Sequence, residues 1–157
     1  MTAPLTRDAV TARAAGYTDG GTESVVVTIA SEEDLRHARH AVRAAAQQAG
    51  LRLVDQTMVV TAASELARNC YIHAGGGTVT IEEARRAEPP ATGVRLTFAD
   101  TGPGIEDPDA ALADGYTTSG GLGRGLGGAR RLVDEFDLRT STRPPTGTQI
   151  TVIRWVR

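Results

Sequence analysis

Residues 59–77 read VVTAASELARNCYIHAGGG, and this stretch decides what the rest of the chain must build around. Val59, Ala63, Leu66 and Cys70 recur at intervals of four, three and four, which is one stripe of an amphipathic helix. The helix is expected over about 54–73, with Gly75-Gly76-Gly77 ending it. Beside the stripe stand Glu65 and Asn69, at i and i+4, so they project from one face about one turn apart. A carboxylate there can take a proton or orient a hydroxyl. An amide carbonyl is a hard oxygen ligand of the kind Mg²⁺ accepts. Taken alone, the pair is explained more simply as part of a solvated helix face.

Downstream, 78–83 and 93–99 read as strands, the second alternating cleanly. Asp100-Thr101-Gly102-Pro103-Gly104 follows at once. An ionised carboxylate only accepts hydrogen bonds, so Asp100 suits the exocyclic amine of adenine and repels the carbonyl of guanine. Gly102 and Gly104 would let the backbone approach a flat ring. A plain turn explains the same residues equally well.

Further on, seven glycines fall within fourteen residues, ending in Gly120-Gly121-Leu122-Gly123-Arg124-Gly125-Leu126-Gly127-Gly128. Opening a helix, such a run offers exposed N–H groups and a positive helix end to phosphate. It is not the dinucleotide fingerprint, because no strand immediately precedes it and no early βαβ unit surrounds it. The bland alternative is a flexible loop.

Upstream, 24–30 is β-branched and reads as a strand. Ser31 with Asp34 three residues on approaches a capping box, and a helix runs from there to about residue 49, stopped by Gly50. Residues 1–22 are expected to form a mobile arm, and 23–157 a single domain. A short helix near 108–113, a helix over 123–136 and strands at 137–141 and 148–155 complete the order. Strands that follow one another without a crossover helix predict a mixed, mainly antiparallel sheet with helices on one face.

Composition narrows the chemistry. All 17 cationic side chains are arginine and none is lysine. A P-loop NTPase, a kinase with a strand lysine and a Schiff-base enzyme are therefore excluded. A net charge of −2 with 4% aromatics gives no footprint for nucleic acid. Cys70 is the lone cysteine, so no intrachain disulfide can form. No apolar run approaches a membrane span and the first residues lack an apolar signal segment, so a cytoplasmic protein is expected. His37 and His40 read as solvated helix residues, and Cys70 as a small core residue.

The three motifs together, in this order, resemble the ATP-binding module of the GHKL superfamily of histidine kinases, gyrase-like ATPases and anti-sigma-type protein kinases. The resemblance implies a Bergerat-type α/β sandwich that binds ATP and Mg²⁺. It implies that Asn69 holds the metal and Asp100 selects adenine, with Thr148 supporting Asp100 through a water. Gly102 and Gly104 would shape the base pocket. Gly121, Leu122, Gly123, Arg124, Gly125, Leu126 and Gly127 would cover the phosphates. Glu65 would be the base or orienter for an incoming hydroxyl.

Within the superfamily, ELARNCYIHAGGGTVTIE, FADTGPGI, DGYTTSGGLGRGLGGARRLVDEFDL and GTQITVIRW are similar to the RsbT-type serine-protein kinases of the stressosome. That branch implies a kinase that phosphorylates a STAS-domain partner and then engages a PP2C-type phosphatase or another output protein. An anti-sigma factor sharing the ATP site, or a nucleotide-gated binding module with little turnover, are the competing readings. Arg124 and Gly76 depart from the branch, which usually has a small residue and often a lysine there. Without lysine, the triphosphate must be neutralised by metal, by backbone N–H groups and by a helix end, with or without help from Arg124 or Arg68.

Overall fold

The computed structural model describes residues 10–12, 17–19, 24–113 and 126–157. Among the described residues, seven strands form one sheet: β1 (Val10–Ala12), β2 (Tyr17–Asp19), β3 (Val25–Ile29), β4 (Gly77–Arg86), β5 (Ala91–Asp100), β6 (Glu135–Ser141) and β7 (Gly147–Trp155). The strand order is β1-β6-β7-β5-β4-β2, with β3 also on the outer edge of β4. β3 pairs with residues 77–81 of β4 and β2 with 84–86, so the two short strands share one edge. Every described pairing is antiparallel, so the sheet expected to be mixed and mainly antiparallel is antiparallel throughout its described strands. Within 1–22, expected to be a mobile arm, the described residues Val10–Ala12 and Tyr17–Asp19 pair with β6 and β4 of the sheet.

Two long helices, α1 (Glu32–Ala49) and α2 (Leu53–Ala74), pack against the sheet. α1 begins as its sequence requires. Ser31 is extended and its hydroxyl accepts from the Asp34 amide at 3.2 Å, while the Asp34 carboxylate accepts from the Ala30 amide at 2.8 Å. Three acids in the first turn complement the helix dipole. At the far end Gly50 takes φ 89°, which an L side chain resists, and its N–H caps the carbonyls of Ala46 and Gln47. Leu35, Ala38, Val42 and Ala46 form the buried stripe. α2 buries a wider arc, from Val59 to Cys70, because it lies between α1, the sheet and α4 (Leu126–Arg131). α3 (Pro108–Leu112) is short and capped by the Asp107 carboxylate.

The helix expected over 123–136 is a helix only to Arg131 among the described residues, and Phe136 belongs to β6. The Asp134 amide donates to the Ile153 carbonyl at 2.9 Å, and the Asp134 carboxylate accepts from the Trp155 amide at 2.7 Å. Those bonds draw the chain into the sheet one residue before β6 starts. Phe136, Leu138 and Thr140 then alternate inward as a strand demands. Among the described residues, no helix is long and apolar enough to cross a membrane.

Candidate nucleotide site

Register across three neighbouring strands builds the floor of the site. Asp100 at the end of β5 faces Thr148 on β7, and Thr148 faces Thr140 on β6. The three side chains therefore stand in one row at strand spacing, about 4.8 Å per step. Thr140 is fully buried and its hydroxyl is the hub of the row. It accepts from the Ile105 amide at 2.9 Å, lies 2.9 Å from the Thr148 hydroxyl, and reaches the Gly147 carbonyl at 3.3 Å. Either threonine can donate to the other. If Thr140 donates, the Thr148 proton is directed elsewhere, so this pair can set what Thr148 offers a ligand.

Asp100 is oriented by its own turn, since the Gly102 amide donates to one carboxylate oxygen (Oδ1) at 2.9 Å. The glycines nearby are required by chain packing. A Cβ at Gly102 would stand 2.5 Å from the Ala74 Cβ, and one at Gly104, where φ is 80°, would stand 2.2 Å from the Ser141 carbonyl oxygen. The space opened by these glycines is thus used by the end of α2 and by β6.

α2 closes the site from above. Leu66, Asn69 and Cys70 of α2, Asp100, Ile105, Leu126 and Thr148 surround one small cavity of ≈ 20 Å³, room for about one water. Leu126, 1% exposed, packs into the core beside it. A wider cleft of ≈ 620 Å³ opens on the other side of Asp100 and Thr148, walled by residues 74–78 and 145–149. Burial pushes the Cys70 thiol up to about 12, with the Asp100 charge adding to the rise, so Cys70 is a core residue and not a nucleophile.

The structure thus brings Asn69, Asp100, Thr148 and Leu126 to one cavity. Glu65 lies one turn earlier on α2 and is exposed. Gly127 is buried in the first turn of α4, where a Cβ would meet the carbonyl oxygens of Leu112 and Ala113 at 3.0 Å. Gly121, Leu122, Gly123, Arg124 and Gly125 lie outside the described residues. Sequence reasoning missed Thr140. Its only signal is position, two strands from Asp100 in a register that a sequence does not display.

No group of three His, Cys, Asp or Glu side chains able to hold a metal occurs among the described residues. Asn69 alone offers one neutral oxygen. That donor set fits a Mg²⁺ ion that arrives on nucleotide phosphates and keeps most of its shell from them and from water.

Thr140→Val tests the hub. Losing the hydroxyl leaves the buried Ile105 amide without its acceptor, which costs about 1–3 kcal/mol. The expected outcome is a lower thermal midpoint and weaker nucleotide binding together, and a Thr140→Ser protein should recover both.

Residues 28–154 match the family model described as histidine kinase-like ATPase domain. The chain belongs to that family. It is 44% identical over 131 residues to the serine/threonine-protein kinase RsbT of Bacillus subtilis (strain 168), covering 83% of this chain and 96% of that one. Within the family, then, it stands with the RsbT-type serine/threonine-protein kinases. The RsbU and RsbW domains of Rv1364c from Mycobacterium tuberculosis share the fold, with a TM-score of 0.59 at 22% identity. That likeness covers 87% of this chain and 33% of the larger one.

Proposed function

We propose that the chain transfers the γ-phosphoryl group of Mg²⁺-bound ATP to a serine or threonine of a STAS-domain partner. One observation carries this reading. Asn69, Asp100 and Thr148 converge on a cavity, while Glu65, four residues before Asn69 on the same helix, faces outward. A ligand held by the first three would present its phosphates along α2 toward a residue that a second protein can reach.

Asp100 would accept from the adenine amine, held in place by the Gly102 amide and the Thr148–Thr140 pair. Asn69 would hold Mg²⁺, which would screen the phosphate charge in a chain that has no lysine. Glu65 would accept the proton as the acceptor oxygen bonds to γ-phosphorus and the bond to the β,γ-bridging oxygen breaks, releasing ADP. Positioning and charge stabilisation carry most of such a transfer, so Glu65 acts chiefly by aligning the hydroxyl.

The phosphorylated partner would release the kinase, which would then engage a PP2C-type phosphatase or another output protein. The test is transfer from labelled ATP to a STAS-domain protein. Wild type should label serine or threonine, and Glu65→Gln should lose about 100-fold or more in rate while keeping ATP affinity. Equal labelling by Glu65→Gln would remove Glu65 from the chemistry.

A further inference from the structure

Without β1, strand β6 would be an open edge of the sheet. Val10, Thr11 and Ala12 of β1 pair with Leu138, Asp137 and Phe136 of β6. β1 lies before residue 28, where the match to the family domain begins, so the strand that covers β6 stands outside that domain. What it covers is a seven-residue strand, long enough to serve as a template for another chain.

β6 is complementary to itself. Phe136, Leu138 and Thr140 are buried against the core, and Glu135, Asp137 and Arg139 alternate to the other face. In an antiparallel pair of two β6 strands centred on Leu138, all seven residues find a partner. Asp137 then stands opposite Arg139 of the second copy, and the two-fold axis repeats that contact on the other side. Phe136 stands opposite Thr140, Glu135 opposite Ser141, and no like charges meet. Within one chain, the Arg139 Nε donates to Asp137 Oδ2 at 3.1 Å. The second oxygen, Asp137 Oδ1, is buried without a donor. A guanidinium from a second copy would supply one.

We propose that β6 is a docking edge for the β6 strand of a second copy, and that β1 keeps this edge closed from within the same chain. Tethering favours the closed form. A strand of the same chain acts at an effective concentration of about millimolar, against micromolar for a separate copy. β2 anchors the same stretch of chain a second time, since Tyr17 and Asp19 pair with Arg86 and Ala84 on the opposite edge. With β1 in place the edge offered to solvent is three residues long instead of seven, and very short edge strands resist further pairing.

The experiment reads association state, by sedimentation velocity of the full chain at about 1 μM and about 100 μM. Neighbouring residues of a strand point their N–H groups to opposite sides, so Thr11→Pro/Ala12→Pro removes one donor to β6 whichever of the two faces it. Wild type should be a monomer at both concentrations. The double-proline variant should exchange the amide hydrogens of residues 136–138 at least about tenfold faster at the low concentration and dimerise at the high one. Adding Arg139→Asp sets acid against acid across the pair and should return the monomer. Adding Asp137→Arg as well restores the complementarity and should return the dimer. A dimeric wild type, unchanged amide exchange in the double-proline variant, or that variant remaining monomeric at the high concentration would each overturn the proposal. So would a dimer indifferent to Arg139→Asp, which would place the contact elsewhere than β6.

Discussion

Asp100→Asn is expected to weaken ATP and ADP binding by about 100-fold or more, measured by titration calorimetry, with the fold intact. The Gly102 amide already donates to one oxygen of the Asp100 carboxylate. An asparagine has one acceptor and one donor end. If its oxygen faces Gly102, its NH₂ faces the amine of adenine. If it flips, its NH₂ faces the Gly102 amide. Either orientation sets donor against donor, so the substitution loses a charge-assisted bond worth about 1.5–3 kcal/mol and adds an unmet donor. Unchanged affinity would remove Asp100 from base recognition. Guanine nucleotides should stay weak with wild type, because a carboxylate repels the guanine carbonyl.

Asp55→Ala is the largest expected loss of stability. Asp55 is 1% exposed, near the start of α2, and its carboxylate takes the Arg154 guanidinium of β7 on one oxygen and the Arg52 Nε at 3.0 Å on the other. Arg154 also approaches the Leu132 carbonyl at 3.4 Å and Asp134 at 3.7 Å. Removing the carboxylate strands a buried guanidinium, a change that costs about 3–5 kcal/mol. The hydrogen bond from Arg154 holds the Asp55 carboxyl below its ordinary value, against the opposing effect of burial. A depressed value stabilises the fold above the unfolded-state pKa of about 4 and is lost as pH falls through the folded value. Wild type and Asp55→Asn should therefore differ most near neutral pH and converge as the medium is acidified below about pH 4. A constant gap down to pH 2 would contradict this assignment.

Much of this was legible in residue order. Ser31, Asp34 and Gly50 bracket α1 because caps are local chemistry, and the Val59–Cys70 stripe marks α2 because burial on a helix has a fixed period. Asp100 and Thr148 are singled out by their motifs, and the register sets the two side by side on neighbouring strands. The rest depended on partners distant in sequence. The stripe through Ala129, Leu132, Val133 and Phe136 fits a helix, but Phe136, Leu138 and Thr140 fit a strand equally, and the contacts of Asp134 with β7 decide between them. Thr140 acquires its role only when β6 and β7 pair. Asp55 did leave a signal, since it stands four residues before Val59 on the buried side of the helix. A carboxylate on an apolar stripe asks for a cation, and the sequence does not say which of 17 arginines answers.

The Asp55–Arg154 pair also sets the mechanics of the site. α2 carries Asp55 and, fourteen residues on, Asn69; β7 carries Arg154 and, six residues back, Thr148. These spans are nearly equal, about 21 Å of helix and about 20 Å of strand. Helix and strand therefore run as two arms from the ion pair to Asn69 and Thr148, which line the same small cavity. A rotation of about 3° at the ion pair shifts the far tip of an arm of about 21 Å by about 1 Å. Loosening the ion pair would shift Asn69 against Thr148, so a stability variant at Asp55 should also read out as lost nucleotide affinity.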